Sequence, residues 1–161
     1  MMPLVLLPGM MCDARLFGPQ IDALSKERAI TVPPLTGDTV GQIAANILAD
    51  APPVFALAGL SMGGIVAMEI LAQAPDRVDR LALLDTNPLA ELPEVAARRE
   101  PQIAKVQQGD LVAVMRDEMK PNYLAPGPYR GDVLALGMDM AMTLGPAVFV
   151  RQSRALQRRR D

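Results

Sequence analysis

Residues 58–75 read AGLSMGGIVAMEILAQAP, and a serine stands between two glycines where an apolar run gives way to a helical pattern. Residues 54–58 are continuously apolar without polar alternation, the pattern of a strand buried on both faces. From Ile65 onward the pattern is helical, with no breaker before Pro75. Gly59-Leu60-Ser61-Met62-Gly63 therefore falls on a strand-to-helix turn and fits G-x-S-x-G. With only three fixed positions, that pattern also suits an ordinary glycine-rich turn, and the order of the elements decides between the two. Gly59 and Gly63 are required because side chains there would strike the neighbouring strand and helix backbone. Such a turn lifts the Ser61 hydroxyl off the sheet, toward a crevice beyond the carboxyl ends of the strands. The helix that follows presents free amides and its positive dipole end to developing negative charge.

Working outward, residues 4–7, 30–32 and 81–84 form three more short apolar runs, and amphipathic stretches separate them. Asp13 is placed to cap a helix through Leu16, Ile21 and Leu24, and Thr39 with Gln42 forms a capping box ahead of Ile43, Ile47 and Leu48. The alternation predicts an α/β fold with four mainly parallel strands flanked by helices and joined by right-handed crossovers. After Asn87 the pattern turns helical throughout. Pro93 suits the first turn of a helix that Pro101 interrupts or restarts. Gly109 ends that segment and Asp110 caps residues 111–119. Residues 121–131 form a proline-rich loop, and a last helical region covers 133–159 with a break at Gly145-Pro146. The chain divides into a core at 1–88 and a helical cap or lid at 89–161.

Composition narrows the function. With 18 acidic and 16 basic residues the net charge is −2, which offers no footprint for nucleic acid. Five arginines crowd the tail: Arg151, Arg154, Arg158, Arg159 and Arg160. They form either an anion-binding patch or a solvated helix end, and the solvated end is the expectation. Cys12 is the single cysteine, so no intramolecular disulfide forms and nothing points to an oxidising compartment. The apolar start MMPLVLLPGMM lacks a basic n-region and is broken by Pro3 and Pro8, so it reads as a strand and not as a signal peptide. No run approaches the ~18 apolar residues of a membrane span. A cytoplasmic chain without membrane or nucleic-acid partners is expected. Residues 59–64 do not give G-x-G-x-x-G and no Gly-Lys-Ser/Thr occurs, so no cofactor is expected.

Residues 6–24, LLPGMMCDARLFGPQIDAL, then residues 54–88, VFALAGLSMGGIVAMEILAQAPDRVDRLALLDTNP, then the helical segment, resemble in order and wording the small α/β-hydrolase-fold serine hydrolases. These are esterases, lactone hydrolases and related enzymes. The resemblance implies that Ser61 is a nucleophile and that the backbone amides of Met62 and Met10 form its oxyanion hole. Many members carry His-Gly where this chain has Pro8-Gly9, a change that leaves the backbone amide in place. Asp85, at the end of the fourth strand, is by position a candidate acid partner, or else a turn residue that with Asn87 starts the lid. The chain holds eleven methionines and only three phenylalanines. Met11, Met138 and Met142 are candidates to line a pocket for a short acyl or alkyl group, with plain core filling as the alternative. No arginine is required to face the crevice, so an anionic substrate is not implied.

In the resembled family a histidine on a late loop activates the serine, and this chain contains no histidine. The expectation is an α/β-hydrolase fold truncated before its acid and histidine strands. Three explanations stand open: a fragment with a crippled site, a second chain that supplies the missing strands, or a lysine base from Lys26, Lys105 or Lys120. A serine without its base is a poor nucleophile, so turnover by the chain alone is expected to be weak or absent. The expected activity is hydrolysis of small apolar carboxylic esters or lactones. The alternative is a non-catalytic binding or assembly module of the same fold. A bare edge at 81–84 predicts a homo-oligomer or a complementing chain.

Overall fold

The computed structural model describes residues 1–119 and 124–160. Lys120, residues 121–123 of the expected loop, and Asp161 lie outside the described residues. Four parallel strands form one sheet: β1 (Leu4–Leu7), β2 (Ile30–Thr31), β3 (Phe55–Leu60) and β4 (Val78–Leu84). Their spatial order is β2-β1-β3-β4, with Leu4 opposite Ala56 and Leu7 opposite Gly59. β4 begins three residues before its apolar run, because Val78 and Arg80 pair with Phe55 and Ala56 of β3, with Asp79 bulged between them.

Side-chain alternation sorts the strands onto two faces. Val5, Leu7, Phe55 and Leu57 enter the larger core with Ile43, Ile47, Val66 and Ile70. Leu6 and Ala58 face the other way, onto Phe17, with Leu4, Leu60 and Ile21 around them. The larger core is covered by α2 (Val40–Asp50) and α3 (Met62–Gln73), and the smaller by α1 (Gly18–Leu24). Each fully buried Leu, Ile or Phe contributes about 1.5–3 kcal/mol, so these faces hold the sheet together. Asp13 caps a short 3-10 turn ahead of α1, its carboxylate accepting from the Arg15 N–H. Thr39 Oγ1 accepts from the Gln42 N–H, while the Gln42 carboxamide accepts from Asp38 rather than from Thr39.

Beyond the sheet lie α4 (Pro93–Gln107), α5 (Leu111–Ala113, passing into a π-helical stretch Val114–Met119) and α6 (Arg130–Gln157). Pro101 does not interrupt α4, which runs straight through it. Asp110 precedes α5 without a side-chain capping bond. α6 is kinked at Gly145, whose φ of 81° is left-handed. At 28 residues α6 is long and apolar enough to cross a membrane, which the run-length reading of the sequence did not anticipate. Its Met140, Ala141, Phe149, Ala155 and Leu156 are buried against the rest of the protein. Its two halves serve different cores: Ala141 and Phe149 pack with Met11, Ile103 and Met115, whereas Ala155 and Leu156 join the sheet core.

β4 is the sheet edge on the far side, and Leu81, Leu83 and Leu84 are 36%, 43% and 44% exposed along it. Its start is fastened by Arg77. That guanidinium donates to the carbonyls of Leu48, Ala51, Pro52 and Pro53 at 2.8–3.1 Å and lies 5.8 Å from the Phe55 ring centre. Replacing Arg77 by Met strands those carbonyls, and we expect a loss of about 2–4 kcal/mol. Urea unfolding checks this; a loss below about 0.5 kcal/mol would show that the carbonyls are satisfied by water instead.

Candidate active site

Ser61 is the residue between β3 and α3, exposed, with φ of 53° and ψ of −115°. A left-handed serine is costly and persists only where its surroundings hold it. They do so here at three points. The Ser61 N–H donates to the Leu84 carbonyl at 2.9 Å, and its carbonyl accepts from the N–H groups of Gly64 and Ile65 at 2.9 and 3.2 Å. The Thr86 hydroxyl donates to the same carbonyl at 2.8 Å. The Ser61 side chain does not cap the helix, so its hydroxyl is free to project.

The two glycines are fixed by close approach. A Cβ on Gly63 would lie 2.1 Å from the Leu7 carbonyl oxygen, and one on Gly59 would lie 2.3 Å from that of Gly63. Gly64 is equally constrained, since a Cβ there would meet Thr86 at 2.6 Å. The first turn of α3 therefore sits on the end of β1, and the loop after β1 lies beside the serine. A Cβ on Gly9 would be 3.6 Å from that of Ser61.

That loop turns at Gly9 to Cys12, closed by the Cys12 N–H donating to the Gly9 carbonyl at 3.1 Å. Met11 takes a left-handed φ of 57° within it. Its N–H donates to the side-chain carbonyl of Gln152, 2.8 Å away and buried. Gln152 comes from the second half of α6, 141 residues along the chain, and is itself buried. The helical segment thus clamps the loop that carries Met10. The Met62 amide is the first of α3 and has no intrahelical acceptor by position. The third left-handed non-glycine residue, Asp85 with φ of 42°, follows β4. Met11, Ser61 and Asp85 thus mark the carboxyl ends of β1, β3 and β4.

Ser61 opens onto a cleft of about 220 Å³ lined also by Ile65, Asp85, Thr86, Asn87 and Arg159. Two expectations are corrected here. The arginine tail is not simply solvated, because the Arg159 side chain is 9% exposed and lies in the wall of this cleft. Burial holds its guanidinium below the ordinary value; the Glu91 carboxylate opposes that shift and the Arg99 charge adds to it. The methionines Met11, Met138 and Met142 do not line this cleft. Met11 is fully buried in the core of the helical segment, Met138 packs against it, and Met142 is 39% exposed. Core filling accounts for the first two. Of the lysines, Lys105 is held by Glu118 at 2.6 Å within the helical segment and Lys26 is exposed at the end of α1. Neither lines the cleft, so neither is placed as a base. Among the described residues no cluster has the make-up of a metal site. A cavity of about 260 Å³ at the β2 edge, lined by Thr31, Pro33, Asn46 and Asp50 among others, holds no serine or cysteine.

Sequence reasoning passed over Thr86 and Gln152 and took Arg159 only as part of the arginine tail. Only three-dimensional packing brings Thr86 and Arg159 to the serine and Gln152 to the loop beside it. Replacing Gln152 by Leu leaves the Met11 N–H buried without an acceptor, at an expected cost of about 1–3 kcal/mol. Hydrogen exchange at the Met11 amide should accelerate while that of Val66, in the middle of α3, stays slow. Unchanged protection at Met11 would mean that the clamp is not what holds this loop.

No family model matches the chain. A pimeloyl-[acyl-carrier protein] methyl ester esterase of Vibrio parahaemolyticus is 42% identical over 52 residues, 32% of this chain and 20% of that protein. Similar solved structures extend over nearly the whole chain. A thermophilic esterase from Thermogutta terrifontis with bound malate has a TM-score of 0.85 at 23% identity, covering 100% of this chain. The enol-lactonase of Burkholderia xenovorans LB400 gives 0.82 at 24% identity over 97% of it. A hydrolase of Pseudomonas aeruginosa gives 0.80 at 22% over 98%. The chain spans a fifth of the curated relative and 64–65% of these three structures. The parallel sheet, the strained serine turn and the helices that follow are the α/β-hydrolase fold over the part of it that this chain spans.

Proposed function

We propose that this chain carries the nucleophile and oxyanion hole of a serine hydrolase for small carboxylic esters or lactones. The observation that carries the reading is the left-handed Ser61 on the β3–α3 turn with the Gly9 loop packed beside it. The sequence relative and the similar structures include two esterases and an enol-lactonase, which supports the same chemistry. In the reaction Ser61 Oγ attacks the carbonyl carbon and a base takes its proton. The tetrahedral oxyanion is held by the N–H groups of Met62 and Met10, and the alkoxide leaves with that proton. Water then repeats the sequence on the acyl-serine.

None of these 161 residues is histidine, and neither Lys26 nor Lys105 lines the cleft, which supports a base supplied by a second polypeptide. Asp85 lines the same cleft as Ser61, which supports a role for it in orienting such a base. Ethyl fluorophosphonate followed by intact-mass measurement tests this. We expect slow modification of Ser61 that added imidazole accelerates, with no adduct on Ser61→Ala. A chain that stays unmodified in imidazole, or one that reacts equally without Ser61, would remove the enzyme reading.

A second reading, a binding or assembly module, is favoured by the apolar exposed edge of β4. The two readings are compatible if the strand that covers β4 also brings the base. We propose that this edge pairs with a second polypeptide, as bare apolar strands do. Sedimentation equilibrium at micromolar concentration should give a dimer or larger species, and Leu83→Lys should shift it toward monomer. A monodisperse monomer before that substitution would refute the pairing.

A further inference from the structure

The cleft at Ser61 does not end there. It shares Ile65 and Arg159 with a larger cleft of about 660 Å³, which continues along α3 over Met68 and Ala72. Arg158, Arg159 and Arg160 form the wall of this second cleft opposite α3. The combined trough runs from the serine over Ile65, Met68 and Ala72, with a guanidinium rim whose Arg159 borders both parts.

Arg159 is the fixed point of that rim. Its Nε donates to the Leu89 carbonyl at 2.9 Å, and one terminal nitrogen lies 3.6 Å from Glu91. Glu91, 4% exposed, is already engaged by both ends of the Arg99 fork at 2.8 and 2.5 Å. One carboxylate faces two guanidinium groups, so the trio keeps a net positive charge. Among the described residues the terminal nitrogens of Arg159 make no hydrogen bond, and beyond the long ion pair of one of them with Glu91 their donors are available to another partner. The opposing charges in the two clefts are Asp85 and Glu69, and a Glu69 oxygen already accepts from the Gln73 side chain at 2.7 Å. Among the described residues three guanidinium groups thus line the clefts with two carboxylates. Arg158 and Arg160 are exposed to solvent, so the charge that is costly unless an anion answers it is that of the part-buried Arg159, whose planar fork suits a carboxylate or phosphate.

We propose that the substrate is an ester with an anionic group at its far end. The ester lies at Ser61, a short apolar spacer covers Ile65 and Met68, and a carboxylate or phosphate sits on Arg159. For the ester end this rests on the reading of Ser61 as the reacting group; the anion cleft stands on the arginines.

Binding to the Ser61→Ala chain tests it by calorimetry, without any need for catalysis. The probes are monomethyl adipate, neutral dimethyl adipate and methyl 6-phosphonooxyhexanoate. We expect the anionic esters to bind about tenfold or more tightly than the neutral one, with an advantage that fades as salt rises. Arg159→Leu, which leaves Glu91 paired with Arg99, should reduce the anions to the affinity of the neutral diester. Arg159→Lys should retain part of the difference. A preference for one anion over the other identifies carboxylate or phosphate as the natural group. Equal binding of monoester and diester, no binding of any probe, or anion affinity indifferent to Arg159→Leu would overturn the proposal. If Arg159→Leu does not fold, the Arg159→Lys comparison and the salt dependence decide in the same way. Anion binding in a chain whose Ser61 never reacts with fluorophosphonate would end the hydrolase reading and leave the anion cleft in place.

Discussion

The structure is organised around one close approach, that of the first turn of α3 onto the carboxyl end of β1. The contact leaves no room for a methyl group at Gly63 or Gly59, whose Cβ atoms would stand 2.1 and 2.3 Å from backbone oxygens. From it follow the sharp turn at Ser61 and the nearness of the Gly9 loop. The amides of Met10 and Met62 are thereby brought to the same end of the sheet. Three left-handed non-glycine residues collect at this end, each costing of order 1–3 kcal/mol. The strain is sustained by bonds from elsewhere: Thr86 to the Ser61 carbonyl, and Gln152 to the Met11 amide.

The helical segment is therefore more than a cover. α6 reaches back across 141 residues to hold the loop after β1, and its end carries Arg159 into the cleft of the serine. A site built this way joins two tasks. In the proposed site the sheet sets the geometry around Ser61, and the helices set the charge beside it. Arg154 with Glu100, and Gln157 with the Ala96 carbonyl at 2.8 Å, tie α6 to α4 and keep the two tasks in register. Neither part holds a histidine.

Much of this was legible in the sequence because it is local. Residues 54–58 read as a strand from continuous apolar character, and residues after Ser61 as a helix from periodicity and the stop at Pro75. The turn between them then had few conformations open to it, so Ser61, Gly59 and Gly63 could be named from spacing together with the order of the elements. The thin apolar run at 81–84 concealed the true start of β4 at Val78, because Val78 and Arg80 join the ladder through their backbones around a bulge at Asp79. Pro101 misled in the opposite sense, since α4 accommodates it without a break. The methionines left two readings open through their chemistry: thioether chains fill an irregular core as readily as they line a pocket.

The sequence by itself determined the order of strands and helices, the strained serine between its glycines, and the absence of a histidine to activate it. Those properties depend on neighbours a few positions away, where period, volume and backbone freedom leave one solution. Only the tertiary structure decided that Gln152 would hold Met11, that Glu91 would be shared by Arg99 and Arg159, and that one arginine of a charged tail would face Ser61. These pairings join residues separated by roughly 8 to 141 positions. Packing of α6 against the sheet fixes them, and no local pattern encodes which of five arginines the helix will turn inward.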